Sequence, residues 1–260
     1  MYKKHELMAQ IREMGIQPSD TVLIHISMRA VGEVENGADG VIDAFREYLT
    51  DGLFLVPTHT WATVNRENPV YDVNSTIPCI GAVPKTAAFR RDGIRSLHPT
   101  HSMWASGKGA AEYIAGEENC PTPGMPGFAW ERLGKVGAKI LLIGVGHERN
   151  TFINAVEEIA DIPDRLSQPF GVTIRDWEGK EYTHSYRNHY CSRHPHVSEQ
   201  FPNFEKAFDY HGVQTFGKLG NAVVRVVDAA KCRDVVLKIY SRTNEDLCIR
   251  QLELPEELYR

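Results

Sequence analysis

The sequence predicts an α/β protein with a largely parallel central sheet and a mixed, partly antiparallel C-terminal part, and three observations carry that prediction. Short apolar runs of strand length, residues 21–26, 53–57 and 138–145, are separated by stretches of helical periodicity. The first two enclose a single amphipathic helix, and a strand, helix, strand order is the mark of parallel pairing. Beyond Pro169 the pattern changes to alternation, with Gly171-Val-Thr-Ile-Arg-Asp-Trp177, then Glu-Gly, then Lys180-Glu-Tyr-Thr-His184, which reads as a β-hairpin.

In chain order, residues 3–14 place Leu7, Met8, Ile11 and Met14 on one face and end at Gly15, which predicts a helix. A strand follows over 21–26, then a helix from Gly37 through Val41, Ile42, Phe45 and Leu49, then the buried strand 53–57. Residues 63–80 are rich in Asn, Pro, Asp and Ser without periodicity and predict a long loop, a kind of segment that is usually functional or disordered. Short helices are expected at 84–91, 108–115 and 128–133, a short strand at 103–105, and a structureless connection at 117–127. After the strand 138–145 and the hairpin, a helix at 203–210, a strand at 222–227 and a helix at 229–239 complete the chain. No repeat or linker interrupts it, so a single domain over 1–260 is expected.

A hydrophobic content of 42% and a charged content of 24% are those of a soluble globular protein. No apolar run approaches the roughly 20 residues of a membrane span, and the N-terminus opens a polar helix, so a cytoplasmic protein is expected. Five scattered cysteines without a Cys-x-x-Cys pair predict reduced thiols rather than a disulfide framework. The net charge of −5 and the lack of a basic stripe exclude nucleic acid as the main partner and mildly favour a cationic one.

The most informative stretch is Thr151-Phe-Ile-Asn154-Ala-Val-Glu157-Glu158, entered from the strand that ends at Gly144-Val-Gly146. Spacings of three and four put Thr151, Asn154 and one of the two glutamates on one helical face. An amide has no proton equilibrium near neutral pH, so Asn154 itself cannot act as a general base. His25-Ile-Ser27-Met-Arg-Ala-Val-Gly32 leaves the first strand directly, and on spacing alone it is a strand-to-loop exit. Leu97-His98-Pro99-Thr-His101-Ser102 is on the same terms a polar turn, since no nucleophile elbow accompanies it. His184, His189, Cys191, His194 and His196 lack the spaced pairs of structural zinc sites and read as a scattered surface cluster, so no metal is expected.

Taken in order, His25-x-Ser27 with Gly32, His98-Pro99-x-x-Ser102, and Gly144-Val-Gly-x-x-x-Asn150-Thr151-x-x-Asn154-x-x-Glu157 resemble the motifs of the aminoglycoside 3-N-acetyltransferase family. The resemblance runs from the N-terminal helix to about Trp177 and implies the antibiotic N-acetyltransferase fold, with acetyl-CoA as cosubstrate and a small-molecule amine as acceptor. It implies that Ser27, Met28, Arg29, Ala30, Val31 and Gly32 hold the cofactor, with the thioester near Ser102 and with His98 in the active site. Asn154 stands where the family has its general-base histidine, with Glu157 orienting that position and Glu158 facing solvent. Asp72, Glu157 and His189 are the implied acceptor contacts. The stretch Arg187-Asn188-His189 lacks the acidic residues that members acting on aminoglycosides tend to carry. The enzyme is therefore read as a possible base-deficient form, with an acyltransferase acting on another amine (an aminophosphonate or amino sugar) or an inactive CoA-binding homologue as alternatives. Three accounts of Asn154 stay open: a substitution made to trap substrates, which the intact frame around it favours, a natural change in a slow member, or another histidine supplying the base. The oligomeric state is left open.

Overall fold

The computed structural model describes residues 1–194, 196–243 and 254–260; Cys248, counted among the thiols, lies outside them. In chain order the elements are α1 (Lys4–Glu13), β1 (Thr21–Ile26), α2 (Met28–Val31), α3 (Gly37–Tyr48), β2 (Leu53–Pro57), β3 (Val70–Asp72), α4 (Ala82–Ala87), β4 (Ile94–Arg95), β5 (Met103–Gly107) and α5 (Ala110–Tyr113). They continue as α6 (Ala129–Lys135), β6 (Lys139–Ile143), α7 (Phe152–Ile159), β7 (Phe170–Arg175), β8 (Glu181–Tyr186), α8 (Glu205–Tyr210), β9 (Gln214–Leu219), β10 (Ala222–Asp228) and α9 (Ala229–Tyr240). Local chemistry sets several ends. The Lys3 backbone N–H donates to Glu6 at 2.8 Å at the start of α1, Gly15 follows that helix at φ 82°, and Asp228 caps α9 by accepting from the Lys231 N–H.

Seven strands form one sheet in the order β4-β5-β2-β1-β6-β10-β9. Parallel pairing is confined to the centre, β2-β1-β6, and both flanks are antiparallel, so the sheet is mixed. The three central strands are apolar on both faces because both faces are covered. Leu23, Leu55 and Leu142 point into a core shared with α6, α7 and α9, while Ile24, Phe54 and Leu141 point into a second core against α1, α3 and α4. Each fully buried leucine contributes about 1.5–3 kcal/mol relative to an exposed one.

The expected hairpin is β7-β8, and it gains a third strand that the sequence hid. Residues 70–72, inside the presumed loop, pair parallel to β7 as β3, and Tyr71, Val172, Ile174 and Tyr186 form a small core beneath this sheet. A strand of three residues is too short to show a period. β9 was likewise invisible, because Gln214-Thr-Phe-Gly-Lys-Leu219 is a polar edge strand with a glycine in it. The helix expected over 203–210 begins at Glu205, since Pro202 holds the preceding residues 197–204 in a 3₁₀ form.

In a sheet with parallel strands, ligands bind beyond the carboxyl ends of those strands, where the connections turn to opposite sides. Here the chain leaves β1 towards β2 on one side and returns to β6 on the other. The C-terminal ends of all three strands therefore open onto one place.

Candidate active site

A cavity of about 500 Å³ lies at that place, within the usual range for a small-molecule site. Its wall combines His25 at the end of β1, His59 just beyond β2, Thr151 and Asn154 at the start of α7, His101 from the turn before β5, and His189 from the segment after β8. Trp130 of α6 lies directly behind this wall. Its ring lies at 25° to those of both His59 and His25, with centroids 5.4 and 6.3 Å away, and its indole N–H donates to the His101 carbonyl at 2.8 Å.

The imidazoles of His25, His59 and His101 are held neutral. Burial pushes His25 down to about 3, and burial reinforced by neighbouring rings puts His59 and His101 well below the ordinary histidine value. His59 Nε2 lies 3.2 Å from Thr151 Oγ1, and His101 Nδ1 lies 2.8 Å from Thr100 Oγ1. His25 Nε2, His59 Nδ1 and Asn154 Oδ1 are buried and make no hydrogen bond among the described residues. Three such atoms at one cavity mark where polar ligand atoms or water fit, because an unsatisfied buried polar group costs about 1–3 kcal/mol.

Asn154 sits on α7 with its amide against the cavity, and Glu157 lies one turn further on, fully buried. Glu157 makes no hydrogen bond to Asn154 that would orient it. Its carboxylate accepts from Arg165 Nε at 2.9 Å and Nη2 at 3.1 Å, and from the Tyr240 hydroxyl at 2.9 Å, while His189 Nε2 lies 3.6 Å away. Burial alone raises this carboxyl, but the His189 ring and the Arg165 guanidinium outweigh it and hold the group below the ordinary carboxylate value. The backbone explains the meeting. Residues 188–190 run antiparallel to 165–167, with a bridge between Leu166 and His189 and the Tyr190 N–H donating to the Arg165 carbonyl, so one short ladder brings Arg165 and His189 to the same carboxylate.

Several expected site residues have structural partners instead. His98 is fully buried: its Nδ1 accepts the backbone N–H groups of Thr100 and His101, at 3.3 and 2.8 Å, and Nε2 donates to the Thr122 carbonyl, so both ring nitrogens are committed to holding the turn. Burial lowers its pKa to about 4. Ser102 is also fully buried, donates its proton to the Thr58 carbonyl at 2.9 Å and lies outside the cavity wall, which leaves no donor for an acyl oxygen. Asp72 faces Arg175 at 3.5 Å and accepts the Asn74 N–H in the three-stranded sheet, away from the cavity. Glu158 does not face solvent; it accepts from Thr122 Oγ1 and the Gly124 N–H and so fastens the 120–127 connection to α7.

The expected cofactor loop is α2. Ser27 is its N-cap, accepting from the Ala30 N–H at 3.3 Å, and Met28 to Val31 form the helix. Gly32 has φ 88°, and a Cβ there would lie 2.7 Å from Asn221 Nδ2, so this glycine is required by the approach of the β9-β10 turn. The segment nonetheless leaves the cavity directly at Ile26 and keeps Met28 and Ala30 partly exposed and Arg29 exposed. The His-Cys cluster is dispersed: His184 is on the hairpin, Cys191 is buried against Asp164, His189 lies beside the Glu157 carboxylate, and His196 lines the cavity.

His59 and Trp130 were missed from the sequence. The available signal was position, since His59 follows a buried parallel strand by two residues, where α/β proteins place their site.

The family model for aminoglycoside 3-N-acetyltransferases matches residues 23–241. The chain belongs to this family. Aminoglycoside N(3)-acetyltransferase IV from Salmonella sp. is 28% identical over 245 residues, covering 94% of this chain and 88% of the relative. Aminoglycoside N(3)-acetyltransferase III from Serratia marcescens is 30% identical over 189 residues, covering 66% and 70%. Among solved structures, a histidine-to-alanine mutant of the aminoglycoside acetyltransferase AAC(3)-IVa in complex with a gentamicin superimposes with a TM-score of 0.77 at 27% identity, covering 93% of this chain and 89% of that one. AAC-IIIb with CoASH shares the fold, with a TM-score of 0.74 at 21% identity. As an aminoglycoside 3-N-acetyltransferase family member, the chain is an acyltransferase that uses acetyl-CoA.

Proposed function

We propose that this protein transfers the acetyl group of acetyl-CoA to an amine of an aminoglycoside, at the 3-N position. The observation that carries the reading is the cavity at the ends of β1, β2 and β6, with α7 presenting Asn154 at its wall, in a member of this family. The pantetheine arm runs along the partly exposed face of Met28 to Ala30 and brings the thioester into the cavity. The acceptor amine then attacks the acetyl carbon.

The wall is unusual for a polycation. Glu148 is the sole carboxylate lining the cavity among the described residues, beside Arg149 and the neutral imidazoles of His25, His59 and His101. Binding therefore relies on hydrogen bonds to Asn154 and the histidines and on the overall negative charge. The expected result is modest affinity that weakens as salt rises. The assay is release of CoASH from acetyl-CoA with gentamicin, apramycin, sisomicin and the simple amino sugar glucosamine, at low and high ionic strength, with mass spectrometry locating the acetyl group. Transfer to glucosamine but to no aminoglycoside would overturn the acceptor class. Tight, salt-insensitive binding would overturn the account of the wall.

A further inference from the structure

The imidazoles around the cavity differ in what stands behind them. His59 and His101 are paired with threonine hydroxyls, and His25 with the face of Trp130. Among the described residues none of these three has a carboxylate that would stabilise it once it took up a proton, and burial disfavours that form further. His189 is built differently. Its Nε2 is buried and turned inward to Glu157 Oε2 at 3.6 Å, a separation that a small shift closes into a charge-assisted hydrogen bond. The ring, 13% exposed, lines the cavity, so Nδ1 is the nitrogen left for a ligand. Behind Glu157, Arg165 and Tyr240 fix the carboxylate. The Leu166-His189 bridge fixes the backbone under the ring.

We propose that His189 is the general base of acetyl transfer in this chain, with Glu157 as its positioning residue, in place of an imidazole at position 154. The inference rests on the acetyltransferase reading above. In the reaction the amine nitrogen forms a bond to the thioester carbonyl carbon and the C–S bond breaks. The proton lost by that nitrogen passes to His189 Nδ1, while Nε2–H donates to Glu157, and CoA leaves as the thiolate. The proton then returns from His189 to the thiolate, so CoASH and the amide are the only products. Asn154 Oδ1, buried and unpartnered, accepts a second N–H of the amine and aims its lone pair. Position 154 and Glu157 are one helical turn apart, so an imidazole at either 154 or 189 meets the same part of the cavity.

The test is CoASH release with the amine that the assay above selects, comparing the native chain, His189→Gln, Asn154→His and the double variant. The expected result is a fall in kcat of about a hundredfold to ten-thousandfold for His189→Gln, the range of a general base, with the KM for acetyl-CoA little changed. The double variant should regain much of the loss, because it returns an imidazole to position 154. A His189→Gln enzyme that keeps the native kcat would overturn the inference. A native chain without turnover that gains it on Asn154→His would also overturn it, while leaving the acetyltransferase reading in place. No transfer by any of the four would overturn both.

Discussion

Replacing Arg165 by methionine is expected to destabilise the protein by about 3–5 kcal/mol, because it removes the guanidinium whose two hydrogen bonds hold the fully buried Glu157 carboxylate. At roughly 2–4 °C per kcal/mol for a chain of this size, the melting temperature should fall by on the order of 10 °C. Methionine keeps most of the volume, so the loss reports the lost charge pairing. The double variant Glu157→Met with Arg165→Met should therefore recover much of it, since a buried ion pair replaced by apolar groups of similar size is often neutral. The two can also be separated by acid. The folded carboxyl of Glu157 lies below its ordinary 4.5, so its contribution is fully present above that value and is lost as pH falls through the folded pKa. The native chain should lose this increment below about pH 4.5, and the double-methionine variant should not. Thermal melts of the three proteins at neutral and acid pH decide it; equal loss in the single and double variants would show that the charge is not the cause.

Glu117 should show the opposite pH behaviour. It is fully buried and accepts the Ala129 N–H at 2.8 Å at the start of α6, but its other oxygen makes no hydrogen bond among the described residues, and burial raises its pKa from 4.5 to about 7. A raised carboxyl binds its proton more tightly in the folded state, so stability is full below 4.5, falls between about 4.5 and 7, and levels off above. That difference corresponds to about 3 kcal/mol. Glu117→Gln keeps the acceptor for Ala129 and removes the charge, at the cost of an amide N–H group without an acceptor. The expected net gain is about 1–2 kcal/mol at pH 8, turning into a net loss of about 1–2 kcal/mol below pH 5, where the carboxyl is protonated and only the amide cost remains. Urea denaturation at the two pH values checks the sign; a gain that is the same at both would refute the charge argument.

The large elements were legible in the chain because their periods are long enough to count. α1, α3 and the strands β1, β2 and β6 follow from apolar spacing, and α7 from its entry out of β6. The pairing that completes the sheet was not legible. Nothing local in 214–219 announces an edge strand, and nothing in Val70-Tyr-Asp72 announces a third strand beside the hairpin. Asn154 and His189 were named from sequence and do face the cavity. Ser102 and His98 were named beside them and face inward, because a hydroxyl or imidazole in a motif looks the same whether it meets a ligand or a backbone carbonyl. The Arg165 and Tyr240 contacts to Glu157 join residues 8 and 83 positions apart. Only the folded chain shows that this carboxylate lies beside His189.

The stacking of Trp130 under His25 and His59 has an optical consequence. The indole is nearly shielded from solvent, at 2% exposure, and touches the very rings that border the cavity, while Trp61 stands half-exposed at its rim. Trp104 lies in the opposite core against Phe54, and Trp177 is at the tip of the hairpin. Two of the four indoles therefore stand at the site and two do not. The protein carries its own fluorophore for ligand entry: acceptor or thioester atoms that displace water from the imidazoles change the polarity around Trp130, and the emission of the unlabelled chain reports occupancy without any coupled reaction.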